Sequence, residues 1–210
     1  MLAHFEPMLR RETLASARLY VIGDAPTLER VLDGALAGGA RLVQLRSRSP
    51  RRAAALALLE RCRAAGALFI VNDDPLLAAE LAADGVHVGQ DDVAVAAARE
   101  IVGPERLIGL STHSAAQIDA ANGVDYIGVG PVWATPTKPT YRPVGLGLVR
   151  YAAGHARVPF FAIGGIDPSN AAAGFAAGAH GVSVVRAVGE ADDPQSAARS
   201  LVEASGVAAA

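Results

Sequence analysis

Eight short apolar runs, separated by stretches of helical periodicity, limit what this chain can fold into. The runs are Leu19–Ile22, Leu42–Leu45, Leu68–Val71, Gly85–Val88, Leu107–Leu110, Asp125–Val129, Phe160–Ile163 and Gly181–Val185. Each is nearly continuous and mostly β-branched, which is the pattern of a parallel strand covered on both faces. Between them, Thr27–Ala37 sets Leu28, Val31, Leu32 and Ala35 on one helical face, and Arg52–Ala65 does the same with Ala55, Leu56, Leu59 and Cys62. Helix boundaries are marked as well. Pro50 and Pro75 suit first turns, Gly38-Gly39 and Gly66 suit exits, and Asp167-Pro168-Ser169 and Asp192-Asp193-Pro194 suit starts. Eight strand–helix pairs in 210 residues predict an α/β chain closed into a compact (β/α)8 TIM barrel. A single domain over residues 1–210 is expected, with residues 1–17 as a short helix capping one end. An open doubly wound sheet fits less well, because Gly23-Asp24-Ala25-Pro26 after the first strand is not a dinucleotide fingerprint.

Composition removes several classes of function. Hydrophobic residues make up 51% of the chain, so a disordered chain is excluded. A formal net charge of −2 lacks the basic footprint of a nucleic-acid or membrane-surface binder. No apolar run approaches the ~20 residues of a transmembrane helix, and residues 1–17 lack the apolar centre of a signal peptide. The single cysteine, Cys62, allows no intrachain disulfide and no cysteine metal cluster. A cytoplasmic protein with small-molecule partners is expected, without nucleic acid or membrane; a homo-oligomer is compatible with the sequence.

The chemistry gathers where strands end. The second strand closes on Gln44-Leu45-Arg46-Ser47-Arg48, and period-2 geometry puts Gln44, Arg46 and Arg48 on one side. Arginine suits bidentate phosphate recognition, although Arg48 could equally begin a solvated helix. The third strand ends in Asn72-Asp73-Asp74-Pro75 and the fourth in Gln90-Asp91-Asp92. Asp74, before a proline, reads as a helix start, and one acid of the second set could also be a cap. Two neighbouring strand ends that each offer a carboxylate suit Mg²⁺, which binds few carboxylates plus phosphate oxygens and waters. His87, inside a strand, reads first as a hydrogen-bonded core histidine. Ser111-Thr112-His113-Ser114 follows the fifth strand, either capping a helix through Thr112 or Ser114 or touching substrate. The long Pro/Thr-rich stretch 130–143 reads as a binding loop or lid. Gly164-Gly165 ends the seventh strand and Arg186 follows the eighth, where barrels of this kind commonly hold phosphate. Serine has no nucleophile-elbow context, Cys62 reads as inert packing, and Trp133 fits either packing or stacking on a substrate.

Taken together, Leu19-Tyr20-Val21-Ile22, Val43-Gln44-Leu45-Arg46, Val71-Asn72-Asp73, Gly85-Val86-His87-Val88-Gly89-Gln90, Gly109-Leu110-Ser111-Thr112-His113, the Gly130–Lys138 loop and Ile163-Gly164-Gly165-Ile166 resemble the thiamine-phosphate synthase family, in that family's order. The resemblance implies a transferase of thiamine biosynthesis. It would join 4-amino-2-methyl-5-hydroxymethylpyrimidine diphosphate to 4-methyl-5-(2-phosphoethyl)thiazole with release of pyrophosphate. It further implies Mg²⁺ on Asp73 and Asp92, with Asp91 a neighbour of unassigned role. Gln44, Arg46, Arg48, Asn72 and Lys138 are implied at the pyrimidine diphosphate, Ser111 near the pyrimidine, and Thr135, Thr137 and Gly165 at the thiazole phosphate. Arg46, Lys138 and Ser111 are the implied catalytic set. Three positions depart from the family pattern: Arg48 stands where lysine is common, Arg186 where serine is common, and Gly23 where threonine is common. Arg186 is expected either to add a cation at the thiazole phosphate or to pair elsewhere. Gly23 is expected to leave the barrel mouth one side chain short. The alternatives are a thiazole tautomerase of the same architecture, with His113 as its residue of interest, and a non-catalytic thiazole-phosphate-binding domain.

Overall fold

A computed structural model describes residues 7–47, 51–135 and 142–206. Within them, strands β1 (Leu19–Gly23), β2 (Leu42–Leu45), β3 (Leu68–Asn72), β4 (Gly85–Val88), β5 (Leu107–Thr112), β6 (Tyr126–Val129), β7 (Phe160–Ile163) and β8 (Gly181–Val184) form a closed barrel in chain order. All neighbours are parallel, and β1 pairs with β8 as well as β2. The intervening helices are α2 (Ala25–Ala37), α3 (Arg52–Ala64), α4 (Pro75–Glu80), α5 (Val95–Val102), α6 (Ala115–Asp119), α7 (Gly145–His155) and α8 (Ala171–Ala176). Helix α1 (Pro7–Ser16) precedes β1, and the short α9 (Arg186–Gly189) and α10 (Pro194–Glu203) follow β8. The chain is thus a single-domain (β/α)8 barrel.

The strand alternation separates two apolar clusters. Leu19, Val21, Val43, Leu45, Phe69 and Val71 point outward and pack with helix residues such as Leu28, Leu32, Leu58 and Leu59. Tyr20, Ile22, Leu42, Leu68, Ile70, Leu107, Tyr126 and Phe161 point inward. Leu14 of α1 and Ala17 join the inner cluster. Nearby, Arg10 donates to the wholly buried Asp84 at 3.0 Å, and Asp84 also accepts the Phe69 N–H.

Large rings fit inside a narrow barrel because several inward positions carry no side chain. Tyr20, Tyr126 and Phe161 meet edge to face, with centroids 5.6–5.8 Å apart. Such pairs add roughly 0.5–1.5 kcal/mol beyond their burial. A Cβ on Gly109 would lie 2.2 Å from the Tyr126 ring and 2.4 Å from His87 Nδ1, and one on Gly181 would lie 2.5 Å from Phe161.

Most helix starts follow their predicted signals. Asp74 caps α4 by accepting the Leu77 N–H at 2.9 Å, and Asp193 caps α10 through Ser196. Two local expectations are corrected, for Asp167 and Gly23, and a third, which left Thr112 or Ser114 as the cap, is decided. Asp167 does not cap α8; it folds a turn by accepting the Ser169 N–H, and Asn170 stands at the cap position. Strand β5 runs on through Ser111 and Thr112, so Ser114, not Thr112, caps α6. A Cβ on Gly23 would meet Leu28 and Thr27 on α2, so this glycine removes a side chain from the helix layer and not from the barrel mouth.

Gly109→Ala should therefore force Tyr126 or His87 out of place and cost roughly 1–3 kcal/mol of stability. Urea denaturation measures it; a wild-type midpoint would contradict the packing argument.

Candidate active site

The upper inward residues of the barrel are polar, and they floor a cleft of about 440 Å³ at the C-terminal ends of the strands. Gln44, Arg46, Ser111, Thr135, Gly165 and Arg186, all singled out from sequence, line it together with Tyr20, His87, His113 and Ser183. Arg48, Thr137 and Lys138 lie outside the described residues.

Asn72, Asp73 and Asp92 stand beside the cleft and connect to it through Arg46. Arg46 Nη1 donates to Asn72 Oδ1 at 2.8 Å, and Asn72 Nδ2 donates to Asp73. The Asp73 carboxyl meets that of Asp92, whose Oδ2 accepts the Gly89 N–H at 2.8 Å. Asn72 is buried, and its amide is engaged on both sides. Asp73 has a left-handed backbone, φ 59°, which costs a non-glycine residue of order 1–3 kcal/mol and re-aims the chain at the strand lip. Neither Asp91 nor Asp92 caps α5; Ala94 occupies that position without a side-chain bond. Partial desolvation, and next the facing Asp92, raise the Asp73 carboxyl above its ordinary value, while Arg46 and Asn72 pull it back in part. Two acids pressed together at an exposed rim, with an arginine beside them, suit a divalent cation shared with bound phosphate oxygens. Among the described residues no cluster of three or more histidine, cysteine, aspartate or glutamate side chains could hold a metal.

Across the cleft, Gly164 (φ 99°) and Gly165 (φ 65°) turn the end of β7 against the start of the long loop. The Val132 N–H donates to Ile163 O at 2.8 Å and the Trp133 N–H to Gly164 O at 3.0 Å. A Cβ on Gly165 would lie 2.7 Å from Ala134 O, so only glycine permits this approach. Trp133 packs against the outer core. Arg186 lines the cleft and also pairs loosely with Glu190, 3.9 Å away. His113 Nδ1 faces the Gly130 carbonyl, 2.5 Å away, which can only accept.

A chain of hydrogen bonds crosses the cleft floor. Gln44 Nε2 donates to the Tyr20 hydroxyl at 2.5 Å, and the Tyr20 and Tyr126 hydroxyls lie 2.9 Å apart. His87 Nδ1 is 3.2 Å from the Tyr126 hydroxyl, and its Nε2 is 3.0 Å from Ser111 Oγ. Sequence reasoning missed both tyrosines. Their signal was the inward register, since each sits in phase with Gln44 or Ser111 in a strand already marked.

A family model described as thiamine monophosphate synthase matches residues 19–188. The chain belongs to that family. The thiamine-phosphate synthase of Arthrobacter sp. (strain FB24) is 46% identical over 94% of this chain and 98% of that protein. That of Gloeobacter violaceus is 50% identical over 88% of this chain, which spans 56% of that longer protein. Among solved structures, the thiamine phosphate pyrophosphorylase from Pyrococcus furiosus superposes with a TM-score of 0.81 at 32% identity, covering 93% of this chain and 97% of its own. As a member of the thiamine monophosphate synthase family the chain is a transferase. No described helix is long and apolar enough to cross a membrane.

The carboxyl pair makes a pH prediction. A raised folded-state pKa contributes stability that is present below the unfolded value, near ~3.9, and is lost as pH rises through the raised one. In metal-free protein the wild type should lose stability relative to Asp92→Asn as pH climbs from about 4 through the Asp73 value. Thermal melts across that window measure it. A difference that does not change with pH would contradict the pairing of Asp73 with Asp92.

Proposed function

We propose that this chain couples 4-amino-2-methyl-5-hydroxymethylpyrimidine diphosphate to 4-methyl-5-(2-phosphoethyl)thiazole, giving thiamine phosphate and pyrophosphate. The observation that carries this reading is the Arg46–Asn72–Asp73–Asp92 chain at one side of the cleft, opposite the Gly164-Gly165 turn. One side then suits a diphosphate and the other a monophosphate. A thiazole tautomerase, with no diphosphate to hold, would have no use for the first.

In this proposal Asp73 and Asp92 hold Mg²⁺, which when bound neutralises charge on the diphosphate. The fit rests on oxygen donors only, two carboxylates, and a pair whose mutual repulsion a cation relieves. Arg46 faces the leaving diphosphate as the C–O bond breaks, with Arg48 and Lys138 completing the basic set. Gln44 and Ser111 orient the pyrimidine. Thr135, Thr137, Gly165 and Arg186 hold the thiazole phosphate, so that the ring nitrogen forms the new C–N bond to the freed methylene. No protein nucleophile is needed; charge stabilisation and orientation carry the reaction. A cytoplasmic location accords with substrates of this kind.

Incubating the protein with both substrates, with and without Mg²⁺, should release pyrophosphate only when metal and thiazole are present. No release under any metal condition would sink the reading. Asp92→Ala should cut turnover about a hundredfold or more, the scale of several kcal/mol of lost charge stabilisation, while melting close to wild type. Wild-type turnover in that variant would remove the metal assignment.

A further inference from the structure

The direction of the floor chain follows from one end. A glutamine Nε2 can only donate, so the Tyr20 oxygen accepts from Gln44. The Tyr20 hydroxyl proton must then go elsewhere. Among the described residues, the Tyr126 oxygen is the acceptor within reach of it. Tyr126, having accepted, has one proton to give, and His87 Nδ1 lies 3.2 Å away. An imidazole that accepts at Nδ1 keeps its proton on Nε2, which faces Ser111 Oγ at 3.0 Å. Ser111 therefore accepts from below and turns its own proton toward the cleft it lines. Among the described residues each step follows from the one before, because a buried tyrosine hydroxyl proton without an acceptor costs roughly 1–3 kcal/mol. Burial raises both tyrosine hydroxyls well above their ordinary value, so both keep their protons.

We infer that Tyr126, wholly buried beneath the cleft, is a positioning residue that fixes this one-way order of protons and so makes the Ser111 hydroxyl a donor toward substrate. The group selected there is a hydrogen-bond acceptor, a ring nitrogen with an available lone pair; a protonated ring nitrogen is disfavoured. This rests on the pyrimidine being the substrate portion beside Ser111, and it assigns that subsite a polarity. Tyr126 touches no substrate in this scheme. It acts through His87, whose tautomer it holds.

The tautomer can be read without substrate, by long-range ¹⁵N–¹H spectra of histidine-labelled protein at a pH where imidazole is neutral, with His87 identified from the His87→Gln spectrum. Wild type should show His87 protonated on Nε2. Gln44→Glu replaces the terminal donor with a carboxylate acceptor of the same size, which reverses every bond. His87 should then move to the Nδ1–H form. Tyr126→Phe keeps the ring volume and should leave His87 a mixture of tautomers. It should raise KM for the pyrimidine diphosphate roughly tenfold, the scale of one hydrogen bond, with KM for the thiazole phosphate unchanged. An Nδ1–H wild type, or a Gln44→Glu protein still in the Nε2–H form, overturns the inference. A Tyr126→Phe protein that melts lower but keeps the wild-type tautomer and KM overturns it too, leaving Tyr126 a purely structural residue. Absence of turnover in the wild type would instead overturn the synthase reading, and the spectra would still decide the direction of the chain.

Discussion

Closure of the sheet is the constraint on which the other features depend. Because β1 pairs with both β2 and β8, no strand edge is left, and parallel pairing sends all eight C-terminal ends to one rim. A side chain on such a strand has two destinations, the helix layer or the interior. The residues that can reach a substrate are then few: the last inward position of each strand and the first residues beyond it. Gln44 and Arg46 on β2 and its exit, Asn72 and Asp73 at the end of β3, and Ser111 near the end of β5 are such positions. The registers Asn72↔His87 and Ser111↔Gly128 bring them to neighbouring heights.

Inside the barrel, polarity changes with height. Near the N-terminal end, Leu14, Leu42, Leu68 and Leu107 make an apolar plug. Toward the cleft, Gln44, His87, Ser111 and Ser183 replace it. Polar groups there are tolerable only if paired, and the tyrosine hydroxyls supply the pairing while their rings stay in apolar contact. This explains why aromatic residues able to hydrogen-bond sit between the two zones, and why Gly109 must stay small: the same ring fills space below and satisfies His87 above.

The fold is legible in the sequence because a doubly covered parallel strand needs a continuous apolar run, and eight such runs leave few architectures. The acidic cluster at the rim is legible for a related reason: carboxylates immediately after buried runs have no core role to explain them. What escapes is whatever depends on which way a side chain turns. Gly23 stands at a strand end like the others, yet its Cβ direction faces α2. Asp167 looks like a helix cap, but the turn it folds spends its carboxylate on Ser169 and passes the cap position to Asn170. Asn72 reads as a substrate contact, and its bonds to Arg46 and Asp73, which tie the two strand ends together, are not visible in the sequence. Tyr20 and Tyr126 look like core aromatics because their ring burial dominates; their hydroxyls matter only once the barrel has closed and brought β1, β4 and β6 together.

The His87–Ser111 contact shows how strongly the surrounding pairing decides chemistry. A serine 3.0 Å from an imidazole nitrogen could be taken for a nucleophile with its base. That role requires an imidazole free to take the serine proton at Nε2, with a partner at Nδ1 that accepts a hydrogen and stabilises the imidazolium. Here the group at Nδ1 is a tyrosine hydroxyl whose own proton, given the donor at Gln44, finds its acceptor among the described residues in His87. The proton on Nε2 then points at Ser111, and the serine is held as a hydrogen-bond donor with its nucleophilicity suppressed. A reaction in which one substrate's ring nitrogen attacks a carbon freed from diphosphate has no need of an activated serine. An exposed nucleophile beside so reactive a carbon would be alkylated by it. Under the proposed function the buried tyrosines thus serve selectivity as well as binding, because the bonds that hold Ser111 as a donor also keep it from competing for the freed carbon.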